Sequence, residues 1–222
     1  MILDVSSQNK FERDYFEGND SHFSKSLGYD VLVRLNLWRS KIYRKKIIKH
    51  SSFHKTLLDI GCGYGHFLNI LKDDFTIYGM DISRYAIKVA KSRVYCDYEQ
   101  GNLEESFPFE KKFDIITAIS VIEHLENPKE AILRIHSHLN KNGLFCLEIP
   151  TVSNKLSKKI YELFFASDKT HIFIKSVEEI ERLIVSCGFR KLALYCSLFP
   201  IFTQRKNWVN NFSFIFGIFE KV

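Results

Sequence analysis

Hydrophobic positions along this chain switch between two periods. Compact apolar runs at 56–60, 75–80, 113–119 and 144–149 have the length and the Ile, Leu and Phe content of buried strands. The stretches between them repeat apolar residues at helical spacing, over 64–72, 84–91 and 127–138. Strand and helix in alternation predict an open, doubly wound α/β sheet with helices on both faces. Local punctuation sharpens the boundaries. Ser83 can cap the helix that follows it, and Asn127-Pro128 sets a cap and a proline where a helix begins. Ser176-Val177-Glu178-Glu179 is a capping box whose helix Gly188 closes. Two further strands are expected over 190–197 and 212–222, and 155–165 repeats as a helix.

The most informative run is Leu57-Leu58-Asp59-Ile60-Gly61-Cys62-Gly63-Tyr64-Gly65-His66-Phe67-Leu68. A buried strand ends there in a glycine-rich turn and a helix begins, which is how an open α/β sheet cradles a nucleotide. The second apolar run ends in Asp81, a carboxylate able to accept from both hydroxyls of a ribose. Dinucleotide loops read G-x-G-x-x-G. Here the spacing is G-x-G-x-G, and His66 stands where the last glycine would, which removes part of the seat for a pyrophosphate. With this strand, turn and acidic partner, the segment resembles motif I of the class I S-adenosylmethionine (SAM)-dependent methyltransferases. Residues 113–125 are similar to that family's fourth strand and the loop after it, and 139–150 to its fifth strand.

The resemblance implies a Rossmann-like, doubly wound, seven-stranded and mostly parallel sheet. Its last strand runs antiparallel beside strand five, under an N-terminal helical cap. It also implies SAM as cofactor and transfer of its methyl group, by in-line displacement, to an O, N or C atom of a small-molecule or lipid-linked acceptor. Cofactor contacts then fall on Asp59, Gly61, Cys62, Gly63, Asp81, Ile82, Asn102, Leu103 and Ser120. Asn102 stands where relatives usually carry a carboxylate for the adenine amino group, and its amide oxygen can still accept. Tyr15 offers an aromatic face to the sulfonium.

The acceptor side is expected in the insertion 151–175, which is longer than a crossover requires and lies over the carboxyl ends of the strands. Asp168-Lys169-Thr170-His171 resembles a short signature of small-molecule methyltransferases. Either Asp168 orients His171 as a general base, or Asp168 and Thr170 cap a turn and His171 packs beneath it. His124, near where the methyl group should point, is the second candidate base. Some quinone-biosynthesis O-methyltransferases carry E-x-x-E-H at this place and hold a divalent metal with it. Glu123 and His124 match, but Ser120 replaces the first glutamate. That loss removes a charge and a ligand, so no metal is expected, and Glu123 can brace the loop as readily as serve the reaction.

Length and charge refine this picture. The 222 residues read as one domain, with a cap at 1–53, a cofactor half at 54–150 and a substrate-side half at 151–222. No apolar run reaches the ~20 residues that span a bilayer, and no secretory pattern opens the sequence. Five cysteines without a C-x-x-C pair read as reduced thiols, in keeping with a cytoplasmic location. The net charge is +6. From Val31 to Leu58 there is no acidic residue, while Arg34, Arg39, Lys41, Arg44, Lys45, Lys46 and Lys49 crowd one amphipathic helix. That helix reads as a solvated face, or as attraction to an anionic membrane or a phosphorylated acceptor. Aromatic residues at Phe199, Phe202, Trp208, Phe212, Phe214, Phe216 and Phe219 lean the same way. Nucleic acid is disfavoured, because no stacking motif accompanies the charge. Two rival readings share the fold. A non-catalytic SAM-binding scaffold would keep Gly61, Gly63 and Asp81. A nicotinamide (NAD)-dependent oxidoreductase would need the third glycine and a Tyr-x-x-x-Lys pair.

Overall fold

The computed structural model describes residues 11–17, 29–164, 168–196 and 214–222. Helices α1 (Arg13–Glu17) and α2 (Tyr29–His50) precede strand β1 (Thr56–Ile60). Then come α3 (His66–Leu71), β2 (Thr76–Asp81), α4 (Arg84–Arg93), β3 (Asp97–Gln100) and β4 (Phe113–Ile119). A 3₁₀ turn at Ile122–His124 leads to α5 (Pro128–His138), β5 (Leu139–Pro150) and α6 (Lys155–Phe164). The chain closes with α7 (Val177–Ser186), β6 (Phe189–Cys196) and β7 (Phe214–Lys221).

The strands form one sheet in the order β3-β2-β1-β4-β5-β7-β6. β1 to β5 pair in parallel, and β7 runs antiparallel between β5 and β6. The order reverses between β1 and β4, where open α/β sheets bind ligands at the carboxyl ends. Successive strand residues alternate faces, so the two sides bury different sets. Leu58, Ile116, Phe145 and Leu147 pack with Ile132 and Ile135 of α5 and Ile180 and Ile184 of α7. Leu57, Ile115, Leu144 and Cys146 pack with Tyr43 and Ile47 of α2, Leu68 of α3 and Ile87 of α4.

Several local expectations meet their structure here. Ser83 accepts from Ala86 N, and the Ser176–Glu179 capping box is formed on both sides. Pro128 opens α5, but the Asn127 side chain makes no capping bond. Its backbone N–H donates instead to Glu104 Oε1 at 2.7 Å. α3 begins at His66 rather than 64, because Gly63 and Gly65 take left-handed φ values of 51° and 75° and prolong the turn. The C-terminal aromatics need a correction. Phe214, Phe216 and Phe219 are buried in the sheet core, where β7 lies between two strands, and so present nothing to a membrane. Phe199, Phe202, Trp208 and Phe212 lie outside the described residues.

The basic helix also departs from its expectation. Arg44 grips Asp74 with two bonds, at 2.5 and 2.8 Å. Lys46 lies 4.8 Å above the Tyr195 ring. Arg39 reaches the buried Glu148 of β5 at 2.9 Å and covers the Phe214 ring, and Tyr43 donates its hydroxyl to the same carboxylate. Arg39, Arg44 and Lys46 thus hold the helix to the rest of the fold, Lys41, Lys45 and Lys49 are exposed, and the side chain of Arg34 lies outside the described ones. A buried carboxylate that loses its cation costs more than the pair contributes. Arg39→Ala is thus expected to lower unfolding free energy by about 3 kcal/mol, while Arg39→Met with Glu148→Leu recovers most of it. Urea denaturation of the two variants checks this.

Candidate active site

The glycine turn and the tips of β1, β2 and β4 build a cradle. At Gly61, with φ of 67°, an added Cβ would overlap Val121 Cγ2, so this tight turn against the loop after β4 requires glycine. Gly63 N donates to Asp81 Oδ2 at 2.8 Å, and Ser83 N donates to Asp81 Oδ1 at 2.8 Å. Each carboxylate oxygen keeps a lone pair, enough for two ribose hydroxyls. Burial pushes the Asp81 carboxyl up to about 6 against the pull of those two N–H groups. Asp59 lies buried beneath the turn, accepts from Thr117 Oγ1 at 2.5 Å, and is pushed up to about 7 chiefly by burial.

The other sequence-predicted contacts fall around this cradle. Cys62 is buried and its N–H donates to Met80 O at 3.0 Å. Ile82 O accepts from Gln100 Nε2, and the buried Leu103 gives its carbonyl to Arg134. Ser120 has a left-handed φ of 54° and ties β4 to β5 by donating from its N–H to Glu148 O. Asn102 spends its amide on its own turn, accepting from Glu104 N and donating to Glu105. One lone pair of the amide oxygen remains for an adenine amino group.

The N-terminal segment closes over the cradle. Glu12 accepts from the backbone N–H groups of Arg84 and Tyr85 at the start of α4, at 3.2 and 3.3 Å. Phe16 stacks on Tyr64 with ring centres 4.9 Å apart. Tyr15 is thereby set close to three carboxylates at once. Burial first, then Asp168, Glu123 and Asp81, hold its phenol well above the ordinary range. Its ring meets Phe11 and Phe16 edge-on, at 5.1 and 5.3 Å. Nothing in the sequence pointed to Glu12, because its partners are more than seventy residues away.

The acceptor side is a cluster assembled from two loops. The His124 and His171 rings are 5.0 Å apart, and Phe11 lies edge-on to His124 at 5.4 Å. Thr170 Oγ1 donates to Asp168 Oδ1 at 2.5 Å, so it can only accept from His124 Nδ1, 2.9 Å away. That fixes the Nδ1–H tautomer and leaves Nε2 with its lone pair. Asp168 therefore orients His124 through Thr170. Its own approach to His171 Nε2 is 3.8 Å, beyond hydrogen-bond reach, while His171 Nδ1 meets the Tyr161 hydroxyl at 3.2 Å. The turn-capping role of Asp168 and Thr170 and the positioning of a histidine coexist, but on the other histidine. Burial holds both imidazoles below their ordinary range, hence neutral at pH 7.

Glu123 is the third member. Its backbone carbonyl accepts from Ile172 N and Phe173 N, both at 2.9 Å, and that is how it braces the loop. Its carboxylate is 1% exposed, and neither oxygen has a hydrogen-bond partner among the described residues. Burial drives that carboxyl well above the usual range. Ligand atoms of Glu123, His124 and His171 all lie within 4.8 Å of one another. The expectation of no metal rested on Ser120 standing in place of a glutamate; folding brings His171 beside Glu123 and His124.

With this geometry in place, comparison with known proteins is direct. The methyltransferase domain family matches residues 36–194, and the chain belongs to that family as a class I, SAM-dependent methyltransferase. The ubiquinone biosynthesis O-methyltransferase of Rickettsia felis is 30% identical over 168 residues, which cover 72% of this chain and 67% of that protein. A SAM-dependent methyltransferase from Thermotoga maritima, described as a possible histamine N-methyltransferase, superposes with a TM-score of 0.68 at 18% identity. That match covers 90% of this chain and 98% of the other. The magnesium protoporphyrin IX methyltransferase of Synechocystis with bound S-adenosylhomocysteine (SAH) gives 0.61 at 15% identity, over 83% of each chain. The cofactor is SAM.

Asp59 and Asp81 titrate above their unfolded values of about 4. Their contribution to the stability of the unliganded chain is full below about pH 4 and is lost as pH rises through 6 and 7. With Asp81 as the expected acceptor for ribose hydroxyls, which can donate only to its lone pairs, cofactor binding is expected to respond in the opposite sense. SAM affinity is expected to be about tenfold weaker at pH 5 than at pH 7, and Asp81→Asn is expected to flatten that dependence; calorimetric titration across the range reads both.

Proposed function

We propose that this methyltransferase acts on a hydroxyl oxygen of a small, quinone-related phenol. On this reading Asp81 takes the ribose hydroxyls, the Gly61–Gly63 backbone lets the cofactor approach, and Asp59 faces its amino-acid end. Tyr15 lies against the sulfonium. SAM arrives activated, so displacement needs in-line placement and dry surroundings above all. A phenol must also lose its proton. The observation that carries the reading is the cluster of Glu123, His124 and His171, in which His124 keeps a bare Nε2 beside aromatic Phe11. Such a cluster serves oxygen acceptors, whereas an amine that is already neutral needs none. The name of the Rickettsia relatives agrees with an O-acceptor.

We further propose that the acceptor is reached at a membrane surface, with α6 rather than α2 as the contact. Among the described residues no helix is long and apolar enough to cross a bilayer. α6, however, exposes Leu156 (49%) and Leu163 (76%) along one stripe, with Ile172 (54%) nearby. Lys155, Lys158 and Lys159 flank that stripe, as on helices that lie in the lipid interface. The same helix supplies Tyr161 to His171, so the contact would sit at the mouth of the acceptor side.

Two outcomes are expected. With a catechol-type acceptor, His124→Ala lowers kcat by about 100-fold and leaves the SAM Kd unchanged. Equal loss of SAM binding would instead mean a fault in the cradle. In flotation with anionic vesicles at low salt, the chain rises with the lipid and a Leu156→Asp, Leu163→Asp variant stays behind. Equal recovery of the two would remove α6 as the contact.

A further inference from the structure

The N-terminal segment is tied to helix α4 by a contact that the helix does not itself require. Ser83 already caps α4, its Oγ accepting from Ala86 N at 3.1 Å. Two first-turn N–H groups remain, on Arg84 and Tyr85, and such groups ordinarily go to water. Glu12 takes both, with Oε1 on Arg84 N and Oε2 on Tyr85 N, and Oε2 also accepts from the Ser83 hydroxyl. The positive end of the helix favours a carboxylate there. At 3.2, 3.3 and 3.4 Å the three bonds are long, so the contact can open.

The neighbours of Glu12 give this contact its reach. Phe16 stacks on Tyr64 of the glycine turn and packs with Ala86 of α4, and Tyr15 lies against the same group. Phe11 lies edge-on to His124 at 5.4 Å. Ser83 joins Glu12 to the ribose side, since its N–H donates to Asp81 Oδ1. One short segment thus touches the glycine turn, the start of α4 and an acceptor-side histidine. α1 has five residues, too few to hold a helix alone, so its placement depends on such contacts. The Arg13–Glu17 and Glu17–Tyr85 bonds are exposed and contribute little.

We infer that Glu12 is a positioning residue, a latch that fixes segment 11–17 on the first turn of α4 and so couples retention of the cofactor to placement of Phe11 against His124. The inference rests on the proposed seating of the cofactor between Asp81 and the glycine turn. With Glu12 docked, Tyr15 and Phe16 stay against that turn and the cofactor leaves slowly. With Glu12 released, the segment lifts, the cofactor exchanges, and His124 loses its aromatic neighbour. The acceptor side is then complete only while the cofactor's exit is shut.

The test uses the full chain, tethered for surface plasmon resonance, with SAH as the probe. Glu12→Ala is expected to raise the SAH dissociation rate about tenfold, with association within about twofold of the parent. Glu12→Gln keeps an accepting oxygen but brings no charge to the helix end, and is expected to raise it only about threefold. Lys88→Gly weakens α4 on its exposed face without touching Glu12, and is expected to leave dissociation at the parent rate. Proton NMR of the His124 ring, assigned with His124→Gln, is the second readout. SAH is expected to shift that signal in the parent and to leave it unmoved in Glu12→Ala. Dissociation at the parent rate in Glu12→Ala overturns the inference, as does an equal acceleration by Lys88→Gly or a His124 signal that answers SAH without Glu12. Asp81→Asn is the separate control. SAH affinity unaltered by it sinks the proposed seating and the latch together; affinity lost there, with dissociation unaltered in Glu12→Ala, sinks the latch alone.

Discussion

A buried carboxylate held by two backbone N–H groups governs the cofactor end of this molecule. Asp81 ends β2 under nearly complete burial, and Gly63 and Ser83 donate to it from opposite sides. Those donors exist only because the glycine turn adopts left-handed geometry and because Ser83 starts a helix there. The turn in turn depends on β1 standing beside both β2 and β4, at the point where the strand order reverses. One carboxylate thus connects sheet topology, turn conformation and helix start. In the unliganded chain its burial is unfavourable to the ionised form.

The acceptor end follows a different logic. It is built on loops rather than strand tips, and its parts come from segments that only folding brings together. The 3₁₀ turn after β4 supplies Glu123 and His124, the loop before α7 supplies Thr170 and His171, and α6 supplies Tyr161. The Glu123 carbonyl binds the two loops through Ile172 and Phe173. Phe11, from the N-terminal segment, joins this end to Tyr15 through edge-on ring contacts. Its ring centre lies 5.1 Å from that of Tyr15 and 5.4 Å from that of His124.

The cofactor half was largely legible in the sequence because its determinants are local. Strand, glycine turn and helix are contiguous in 57–68, and the capping box at Ser176 specifies its own boundary. The antiparallel last strand came from family resemblance rather than from periodicity, since a buried strand carries no sign of its direction. What stayed hidden depends on tertiary contact. The charge on α2 looked like a surface until Glu148 and Asp74 came within reach of Arg39 and Arg44. Phe214, Phe216 and Phe219 looked like a lipid-facing stretch until β7 was enclosed by β5 and β6. Asp168 could be read either as orienting His171 or as capping its turn; it caps the turn, and through Thr170 it also holds His124. The link to His124 could not be read from the sequence because that residue lies 46 positions from Thr170.

The central claim is that the two ends face one another across a single bound cofactor. A crystal structure of the chain with SAH tests this most directly. The account predicts the ribose on Asp81, the amino-acid part over Gly61–Gly63, and the sulfur facing Tyr15 and the His124–His171 pair. SAH lying with its sulfur turned away from those histidines, or seated elsewhere with Asp81 unengaged, would contradict it.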